Sequence, residues 1–519
     1  MAAMSDTADL LAELLVGCGV THAFGVTGSG ISWQLITSLE RIGVRFMPVA
    51  HESAAALMAG GVFRGSGQVA AAISIKGPGL ANMIPGIVYN HFEGNASLSI
   101  SEAYSAGVPT SRRHKRLDHA GLLKGIVKGI CTLDQFEERL PVLLAAAAEE
   151  VPGPVHLDLR TGSDSDQFIA PTQPRKNADS VRLLEKIEAS RRPVVVVGSL
   201  GLRRPWGKRL SLLRVPVFTT ASAKGVIDER ASHSAGVFTG DGKALAPEVG
   251  IFGEADLVVG LGLRNTEVLS PHVFGREAIL VDETGDELGA GFDADIWAVK
   301  AASKAPDEVL DRLAAKAWGA DSIAHARTRL VESILAPAWS PAICFDALNA
   351  CHFDHALVLD TGLFCTLGEH LWSARPERPF LGSGNSRFMG MSIPSAIGFA
   401  VARKVPVICV VGDGGIRPYV AELKSAVDEH LPLCVILMSD GRYGSIAAVP
   451  QPRQLSTKAI DVYAPSWLAA IAGMGWQVRA VSGRDAFETA IASWSQSSPL
   501  FLEASFEPKV YADLTRELR

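Results

Sequence analysis

Residues 407–446 read VICVVGDGGIRPYVAELKSAVDEHLPLCVILMSDGRYGSI, and this stretch decides the fold class. Two apolar runs rich in β-branched residues each end at an aspartate beside a glycine, Asp413 and then Asp440. The 24 residues 415–438 lie between them, which is enough for one helix and the strand that follows it. Such a connection is close to the minimum for a crossover between parallel strands. The stretch therefore predicts two neighbouring parallel strands with an acid at the carboxyl end of each.

The same alternation of helical and strand patterns extends along the whole chain. Helical patterns such as ESAAALMAGGVF alternate with short strand patterns such as VAAAISI, PVVVVGSLG and AILVDE. Alternation of this kind predicts parallel sheets with helices on both faces. The polar, proline-containing stretch 161–180 is interpreted as a linker, and LAPAWSP introduces a third unit. We predict an α/β protein of three doubly wound parallel-sheet domains, at residues 1–165, 181–330 and 340–519.

The composition agrees with several domains and excludes some kinds of partner. At 519 residues the chain exceeds one hydrophobic core, and about 150 residues per domain gives about three domains. A net charge of −6 gives no general attraction to nucleic acid or to anionic membranes. Seven cysteines without a Cys-x-x-Cys pair indicate a reduced protein without structural zinc. The N-terminus carries acids, and no apolar run approaches the roughly 18 residues of a membrane span, so we expect a cytoplasmic protein.

The acids and glycines of the opening stretch predict a metal and phosphate site. Open parallel sheets bind ligands beyond the carboxyl ends of their strands. There Gly412, Gly414 and Gly415 would let the backbone approach a phosphate, and a following helix would offer free N–H groups. An acid at that place repels phosphate unless a cation lies between them, and Mg²⁺ takes carboxylates, phosphates and water. Asp413 and Asp440 are therefore candidate ligands, although both acids are also common turn residues.

The stretch resembles the thiamin-diphosphate fingerprint of the acetolactate synthase, pyruvate oxidase and benzoylformate decarboxylase superfamily. That fingerprint is Gly-Asp-Gly followed, one crossover later, by Asn-Asn, and this chain has Ser439 and Asp440 in place of the two asparagines. The resemblance implies that Mg²⁺ is bound by the Asp413 and Asp440 side chains and the Arg442 carbonyl. We expect an aspartate at 440 to hold the metal more tightly than asparagine would, with a stronger dependence on pH. Other implied cofactor-binding residues are Tyr443 and Gly444.

A second constellation lies near the N-terminus. The segment HESAAALMAGGVFRGSG places Glu52 at the start of an alanine-rich helix and resembles the segment that carries the superfamily's catalytic glutamate. That role requires a protonated carboxyl, which apolar surroundings favour and a helix N-terminus opposes. A glutamate at this place is also a common helix-start charge. The segment ISIKGPGLANM resembles the superfamily's Ser-Gly-Pro-Gly-Ala-Thr-Asn, which adds Asn82 to the cofactor site and leaves Lys76 in place of a small residue.

A third match is NSRFMGMSIPSAIGFA. The resemblance places Met389 where the superfamily has a bulky residue that bends the cofactor, and the Arg387 carbonyl where the cofactor's amino group is received. Packing in the core is the alternative for Met389. Thr361 and Gly362 complete the implied cofactor-binding residues. Because Glu52 and Asp413 occupy different domains, the resemblance implies a homodimer or a dimer of dimers with each site at the subunit interface.

The resemblance also implies a reaction, the decarboxylation of a small 2-oxo acid. It leaves open whether the product carbanion is protonated to an aldehyde or transferred to a carbonyl acceptor. FGVTGSG resembles a decarboxylase loop whose serine contacts the substrate carboxylate, so Ser29 is a candidate, with an ordinary Gly-Ser turn as the alternative. His51 and His91 are candidate proton carriers. Glu102 stands where the superfamily usually has glycine, and the sequence offers no account of it.

Two other functions remain open at this point. One is an oxidase or synthase of the same superfamily that binds FAD in its middle domain, which a yellow purified protein would reveal. The other is a non-catalytic paralogous subunit that keeps the fold. The presence of Glu52 argues against the second.

Overall fold

The computed structural model describes residues 2–28, 30–105, 108–109, 112–161, 180–264, 267, 274–282, 296–299, 305–448 and 456–519. It contains three six-stranded sheets, and every strand pair in the described part of the chain is parallel. This confirms the predicted fold class. The three predicted domain ranges each enclose one sheet, and we keep them as proposed boundaries. Most of the predicted linker, 162–179, lies outside the described residues.

The first sheet is built from the N-terminal third of the chain. Its strands are β1 (His22–Gly25), β2 (Arg45–Pro48), β3 (Ala71–Ser74), β4 (Ser97–Glu102), β5 (Ile130–Thr132) and β6 (Pro154–Leu159), in the order β2-β1-β3-β4-β6-β5. Its helices are α1 (Ala2–Gly17), α2 (Ile31–Arg41), α3 (Glu52–Ser66), α4 (Pro78–Glu93), α5 (His119–Leu123) and α6 (Phe136–Ala148).

The second sheet has a different strand order. Its strands are β7 (Pro193–Val197), β8 (Val217–Thr220), β9 (Ser234–Phe238), β10 (Leu257–Leu261), β11 (Ala278–Asp282) and β12 (Ile296–Val299), in the order β12-β11-β10-β7-β8-β9. Counted within the domain this is the Rossmann order. The helices are α7 (Ser180–Ala189), α8 (Gly207–Leu210), α9 (Pro247–Glu254), α10 (Ala305–Ala314) and α11 (Ala320–Ile334).

The third sheet repeats the topology of the first. Its strands are β13 (Ala356–Leu359), β14 (Phe380–Gly382), β15 (Val407–Gly412), β16 (Leu433–Ser439), β17 (Gln477–Val481) and β18 (Leu500–Ser505), in the order β14-β13-β15-β16-β18-β17. Its helices are α12 (Pro341–Ala350), α13 (Leu363–Leu371), α14 (Ser392–Arg403), α15 (Leu423–Asp428), α16 (Gly444–Ala447), α17 (Trp467–Ala472), α18 (Arg484–Ala492) and α19 (Pro508–Arg516).

The first and third domains pack against each other through equivalent helices, α3 and α14. Each of these helices follows the second strand of its sheet, and their buried side chains belong to one continuous apolar cluster. Glycines let the two backbones approach closely. A Cβ on Gly61 would overlap the Ser395 carbonyl oxygen, and a Cβ on Gly398 would overlap that of Met58. Because α3 begins at Glu52, this contact fixes how that residue lies relative to the third domain.

The connection between β15 and β16 differs in part from its prediction. The two strands are parallel neighbours, as predicted. The single helix expected between them is instead a 3₁₀ segment, Arg417–Glu422, followed by the short α15. Tyr419 interrupts the helical geometry with φ −128° and ψ 20°, and its hydroxyl lies 2.8 Å from Ser53 Oγ. A tertiary contact with the first domain therefore accompanies the break in the helix.

Two further expectations concern cysteines and membrane spans. All seven cysteines are free thiols, and five of them are buried. Within the described ranges, no helix combines the length and the apolar character that crossing a bilayer requires.

Candidate active site

Asp413 and Asp440 follow two adjacent parallel strands, β15 and β16, at the same edge of the third sheet. The Asp413 carboxylate is buried and accepts three hydrogen bonds. Ser439 Oγ donates to Oδ1 at 3.0 Å, while the backbone N–H groups of Asp440 and Gly441 donate to Oδ2 at 2.8 and 2.9 Å. Ser439, which replaces the superfamily's asparagine, thus orients Asp413 directly.

A cavity of about 190 Å³ opens beside Asp413, and we call it the Asp413 cavity. Most of the residues predicted for cofactor and metal binding in the third domain line it: Thr361, Gly362, Met389, Gly412, Asp413, Gly414, Gly415, Asp440, Arg442, Tyr443 and Gly444. All of its described lining residues belong to the third domain, and Glu52 is not among them. The cavity therefore presents one half of the predicted site.

The shape of the Asp413 cavity suits a diphosphate held by backbone. A Cβ on Gly414 would lie 2.5 Å from a ring carbon of Tyr443 and 3.0 Å from the sulfur of Met389. Any side chain at 414 would therefore fill the space that the cavity provides. Met389 itself is 41% exposed at the cavity wall, so it is available to contact a ligand there.

The donor atoms around the cavity suit Mg²⁺. Asp413 and Asp440 offer carboxylate oxygens, the hard ligands that this ion prefers. Asp440 Oδ1 also accepts a 3.0 Å hydrogen bond from the Arg442 backbone N–H, which fixes the turn, and the Arg442 side chain pairs with Asp461 at 3.1 Å. Burial, and then the negative charge of Asp413, raise the pKa of Glu503 on the neighbouring strand. The negative charge accumulated at this edge favours a bound cation.

Glu52 and Asn82 meet in the first domain. Glu52 is the first residue of α3 and is only 8% exposed, and the Asn82 side-chain amide donates to its Oε2 at 3.1 Å. The two residues belong to the two separate segments that resemble the superfamily. The structure therefore brings these two predicted residues together and fixes one oxygen of the Glu52 carboxyl.

The predicted proton carriers, His51 and His91, lie at the start of α3 and near the end of α4, and their catalytic role stays a prediction. His51 caps α3, its Nδ1 accepting a 3.2 Å hydrogen bond from the Ser53 backbone N–H. His91 lies near the end of α4, packed edge-to-face on Phe92 at 5.4 Å. Nine residues of helix separate His91 from Asn82, which corresponds to about 13 Å along the axis. Ser29 lies outside the described residues.

Arg387 lies two residues before Met389, but it is not one of the described residues that line the Asp413 cavity. Its backbone is left-handed, with φ 50°, and its guanidinium forms an ion pair with the buried Glu369. Burial lowers the pKa of Arg387, but the charge and hydrogen bond of Glu369, together with other neighbouring groups, outweigh burial and leave the pKa above its ordinary value. The side chain therefore anchors the unusual turn that precedes Met389.

Asp360 is a site residue that the sequence reasoning missed. It is fully buried after β13 and accepts hydrogen bonds from the backbone N–H groups of Thr361, Gly390 and Ser392 and from Ser392 Oγ at 2.6 Å. Burial raises its pKa to about 6 in spite of these bonds. Asp360 therefore holds the loop that carries Met389. Its signal in the sequence was a third apolar strand that ends in an acid, ALVLD.

Glu422 is a second residue that the sequence reasoning did not single out. It accepts hydrogen bonds from the backbone N–H groups of Ala50 and His51 at 3.1 Å, so a side chain of the third domain holds the turn that precedes Glu52. Burial raises the pKa of Glu422 to about 7. The available signal was an acid within the apolar pattern of YVAEL.

Comparison with known families identifies the group of proteins to which the chain belongs. The N-terminal TPP-binding domain of thiamine pyrophosphate enzymes matches residues 5–118, the central domain matches 181–313, and the C-terminal TPP-binding domain matches 360–504. The chain belongs to the thiamine pyrophosphate enzymes. The predicted superfamily and the predicted dependence on this cofactor are thereby confirmed.

Individual thiamine pyrophosphate enzymes resemble the chain over most of its length. A probable acetolactate synthase large subunit from Methanococcus aeolicus is 25% identical over 449 residues, covering 76% of this chain and 74% of the relative. The acetolactate synthase isozyme 3 large subunit from Escherichia coli is 23% identical, covering 85% and 83%. A probable 2-ketoarginine decarboxylase from Pseudomonas aeruginosa is 26% identical, covering 84% and 82%.

Proposed function

We propose that this thiamine pyrophosphate enzyme uses Mg²⁺ with its cofactor to decarboxylate a small 2-oxo acid. The observation that carries the proposal is that the chain contains two complementary half-sites. The glycine-lined Asp413 cavity has oxygen donors for a metal and space for a diphosphate, and the Glu52–Asn82 pair has a buried carboxyl. The relatives include acetolactate synthases and a 2-ketoarginine decarboxylase, which support the same class of reaction.

The residues of the chain divide the work between the two half-sites. When bound, thiamin diphosphate would supply a carbanion as nucleophile and an electron sink for the decarboxylation of a 2-oxo acid. Asp413, Asp440 and the Arg442 carbonyl would bind Mg²⁺, while Gly414 leaves room for the diphosphate. Glu52 would hold a proton on its buried carboxyl, with Asn82 fixing its orientation.

We further propose that the protein acts as a homodimer or a dimer of dimers. The described lining of the Asp413 cavity comes only from the third domain, so the cofactor's other half needs Glu52 from a first domain. Under this proposal each site combines the third domain of one subunit with the first domain of its partner. Protonation of the product carbanion would release an aldehyde, whereas its capture by a carbonyl acceptor would give a 2-hydroxyketone.

Two variants test the proposal most directly. Calorimetric titration of the wild-type protein with thiamin diphosphate and Mg²⁺ should give saturable binding, and Asp413→Ala should abolish it. Glu52→Gln should still bind both, because Glu52 contacts neither metal nor diphosphate, but should lose nearly all turnover of a 2-oxo acid panel scored for aldehyde and 2-hydroxyketone. Absence of cofactor binding by the wild-type protein, or full activity of Glu52→Gln, would contradict the proposal.

A further inference from the structure

A second cavity, of about 310 Å³, lies at the carboxyl edge of the first sheet, and we call it the basic cavity. It is bordered by Lys76 beyond β3, Tyr104 beyond β4, the loop that leads into α5, and Arg160 beyond β6. Open parallel sheets bind ligands beyond the carboxyl ends of their strands. The basic cavity thus occupies a favoured ligand position that the Asp413 cavity does not use.

The charges around the basic cavity are mostly positive, although the whole chain carries a net charge of −6. Five cationic side chains border it, against two acids: Lys76, Arg113, Lys115, Arg116 and Arg160 against Asp118 and Asp158. Both acids are engaged within the protein, Asp118 as the cap of α5 and Asp158 with two histidines. Lys76 pairs with Glu102 and Arg160 with Asp158, and the three remaining cations still outnumber Asp118, so the charge facing the cavity is positive and suits an anionic ligand.

The loop before α5 supplies the most accessible of these charges. Lys115 and Arg116 are exposed, and neither forms an ion pair within the ranges that the structure describes. Arg116 offers a planar set of donors that matches carboxylate, phosphonate or sulfonate oxygens. These two residues are thus available to a ligand that enters the basic cavity.

Lys76 lies on the inner side of the cavity and is held there by Glu102. Its ammonium is 2.7 Å from Glu102 Oε2, and Glu102 Oε1 accepts a 2.6 Å hydrogen bond from Ser32 Oγ. Burial acts to raise the pKa of Glu102, but the bonds from Lys76 and Ser32 outweigh it and hold that pKa below its ordinary value. An ammonium has three donors and Glu102 takes one, so Lys76 retains donors for a ligand. This pairing also accounts for Glu102, which the sequence left unexplained.

The floor of the basic cavity is a closed hydrogen-bond network. His119 Nδ1 and His156 Nε2 lie 2.6 and 3.0 Å from Asp158 Oδ1, and Arg160 Nε donates to Oδ2 at 3.3 Å. Ser99 Oγ lies 2.8 Å from the other nitrogen of His156. The ligand atoms of the two histidines and Asp158 are near enough to share a metal, but they are already bonded to one another. We interpret the cluster as a rigid support for the cavity.

The basic cavity is near the proposed reaction centre. Gly77 and the first turns of α4 connect Lys76 to Asn82, which holds Glu52. Two steps before the helix and four within it place the Cα atoms of Lys76 and Asn82 within about 14 Å of each other. A molecule reacting near Glu52 could therefore extend a second group into the basic cavity.

We propose that the basic cavity binds a second anionic group of the substrate, so that the enzyme prefers a 2-oxo acid with a carboxylate, phosphonate or sulfonate at its far end. That the bound molecule is a substrate rests on the proposed function, whereas its anionic far end is inferred from the charges of the basic cavity. A cationic or uncharged far end is disfavoured, because it would leave the positive charges of Lys115 and Arg116 without a partner.

Binding without any cofactor tests the cavity separately from the reaction. Glutarate carries two carboxylates and its diamide, glutaramide, carries no charge, and calorimetry should show glutarate binding about tenfold more tightly. The double variant Lys115→Gln/Arg116→Gln should reduce glutarate affinity by about tenfold or more, since both substituted side chains border the cavity. The matched control is Arg112→Gln, which removes an exposed charge from the same loop but not from the cavity wall, and should bind like wild type.

Several outcomes would overturn the inference. Equal binding of glutarate and glutaramide would do so, as would glutarate binding that the double variant leaves unchanged. Inorganic phosphate serves as a second probe: binding of phosphate but not glutarate, lost in the double variant, would make the cavity a site for a free inorganic anion. Circular dichroism and the unfolding midpoint verify that each variant is folded.

Turnover by the loaded enzyme separates the inference from the proposed function. With thiamin diphosphate and Mg²⁺, kcat/KM for 2-oxoglutarate should exceed that for 2-oxobutyrate, and the double variant should remove the difference. Preference for 2-oxobutyrate would overturn the inference and leave the proposed function standing. If glutarate binding depended on Lys115 and Arg116 but no 2-oxo acid were turned over, only the proposed function would be overturned.

Discussion

At the residue scale, Asp440 is the clearest departure of the chain from its superfamily, and it borders the Asp413 cavity. We predict that Asp440→Asn weakens Mg²⁺ binding about tenfold, or about 1.4 kcal/mol, because a full negative charge is lost beside the cation. The measurement is calorimetric titration of Mg²⁺ at saturating thiamin diphosphate. Asp461→Asn is the control, because Asp461 pairs with the Arg442 side chain and does not line the cavity. Unchanged affinity of Asp440→Asn would mean that the substitution is neutral.

Glu422 gives a prediction about pH. Burial raises its pKa from the ordinary 4.5 to about 7, so the folded protein binds this proton more tightly than the unfolded chain does. The resulting stabilisation is complete below pH 4.5 and is lost as the pH rises through about 7. Glu422→Gln removes this dependence. We therefore expect the variant's unfolding midpoint, relative to wild type, to be higher at pH 8 than at pH 5.

The control for this pH prediction is Glu488→Gln on the exposed face of α18. The difference in unfolding midpoint between Glu488→Gln and wild type should be similar at pH 5 and at pH 8. If the difference in unfolding midpoint between Glu422→Gln and wild type were also the same at both pH values, the Glu422 proton would not contribute to stability in this range.

At the element scale, the contact between α3 and α14 joins the first and third domains of one chain, which carry Glu52 and the Asp413 cavity. Gly398 of α14 lies against the backbone of Met58, and an added Cβ would overlap its carbonyl oxygen. Overpacking of this kind typically costs about 1–3 kcal/mol, so Gly398→Ala should lower the unfolding midpoint and, because α14 begins just after Met389, weaken thiamin diphosphate binding.

A glycine in a different helix provides the control for that substitution. Gly250 of α9 has nothing within 4 Å of its would-be Cβ. Gly250→Ala should be neutral or stabilising by up to about 1 kcal/mol through helix propensity. If Gly398→Ala proved as stable as Gly250→Ala, the close approach of the two helices would not be required for the fold.

At the scale of the whole molecule, the proposed assembly predicts complementation between two inactive subunits. Glu52→Gln and Asp413→Ala should each be inactive alone. A co-expressed heterodimer would contain one site with both substitutions and one site with neither, so up to half of the wild-type activity per heterodimer should return. Differently tagged subunits allow the heterodimer to be isolated for the assay. No recovery in a pure heterodimer would place Glu52 and Asp413 of one site on the same chain.

Local sequence was sufficient for much of the fold and of the site. Strand and helix patterns are short-range signals, and they predicted the parallel pairing of β15 and β16. Acids and glycines at the strand ends pointed to Asp413, Asp440 and the neighbouring glycines, while the other predicted residues that line the Asp413 cavity came from the family resemblance. The segments around Glu52 and Asn82 were found through the same resemblance, and the two residues do meet. These features depend on residue type and spacing within a few tens of residues.

Only the tertiary structure decided which distant residues support the site and which do not. Glu422 holds the turn before Glu52 across some 370 positions of the chain, and no periodicity carries that information. The ion pair of Lys76 and Glu102, like the basic cavity around it, exists because parallel pairing aligns the ends of β3 and β4 at one edge. His91 lies nine helical positions from Asn82, and its role as a proton carrier stays a prediction. The physical reason is common to these cases, since contacts between elements depend on how sheets and helices pack in space.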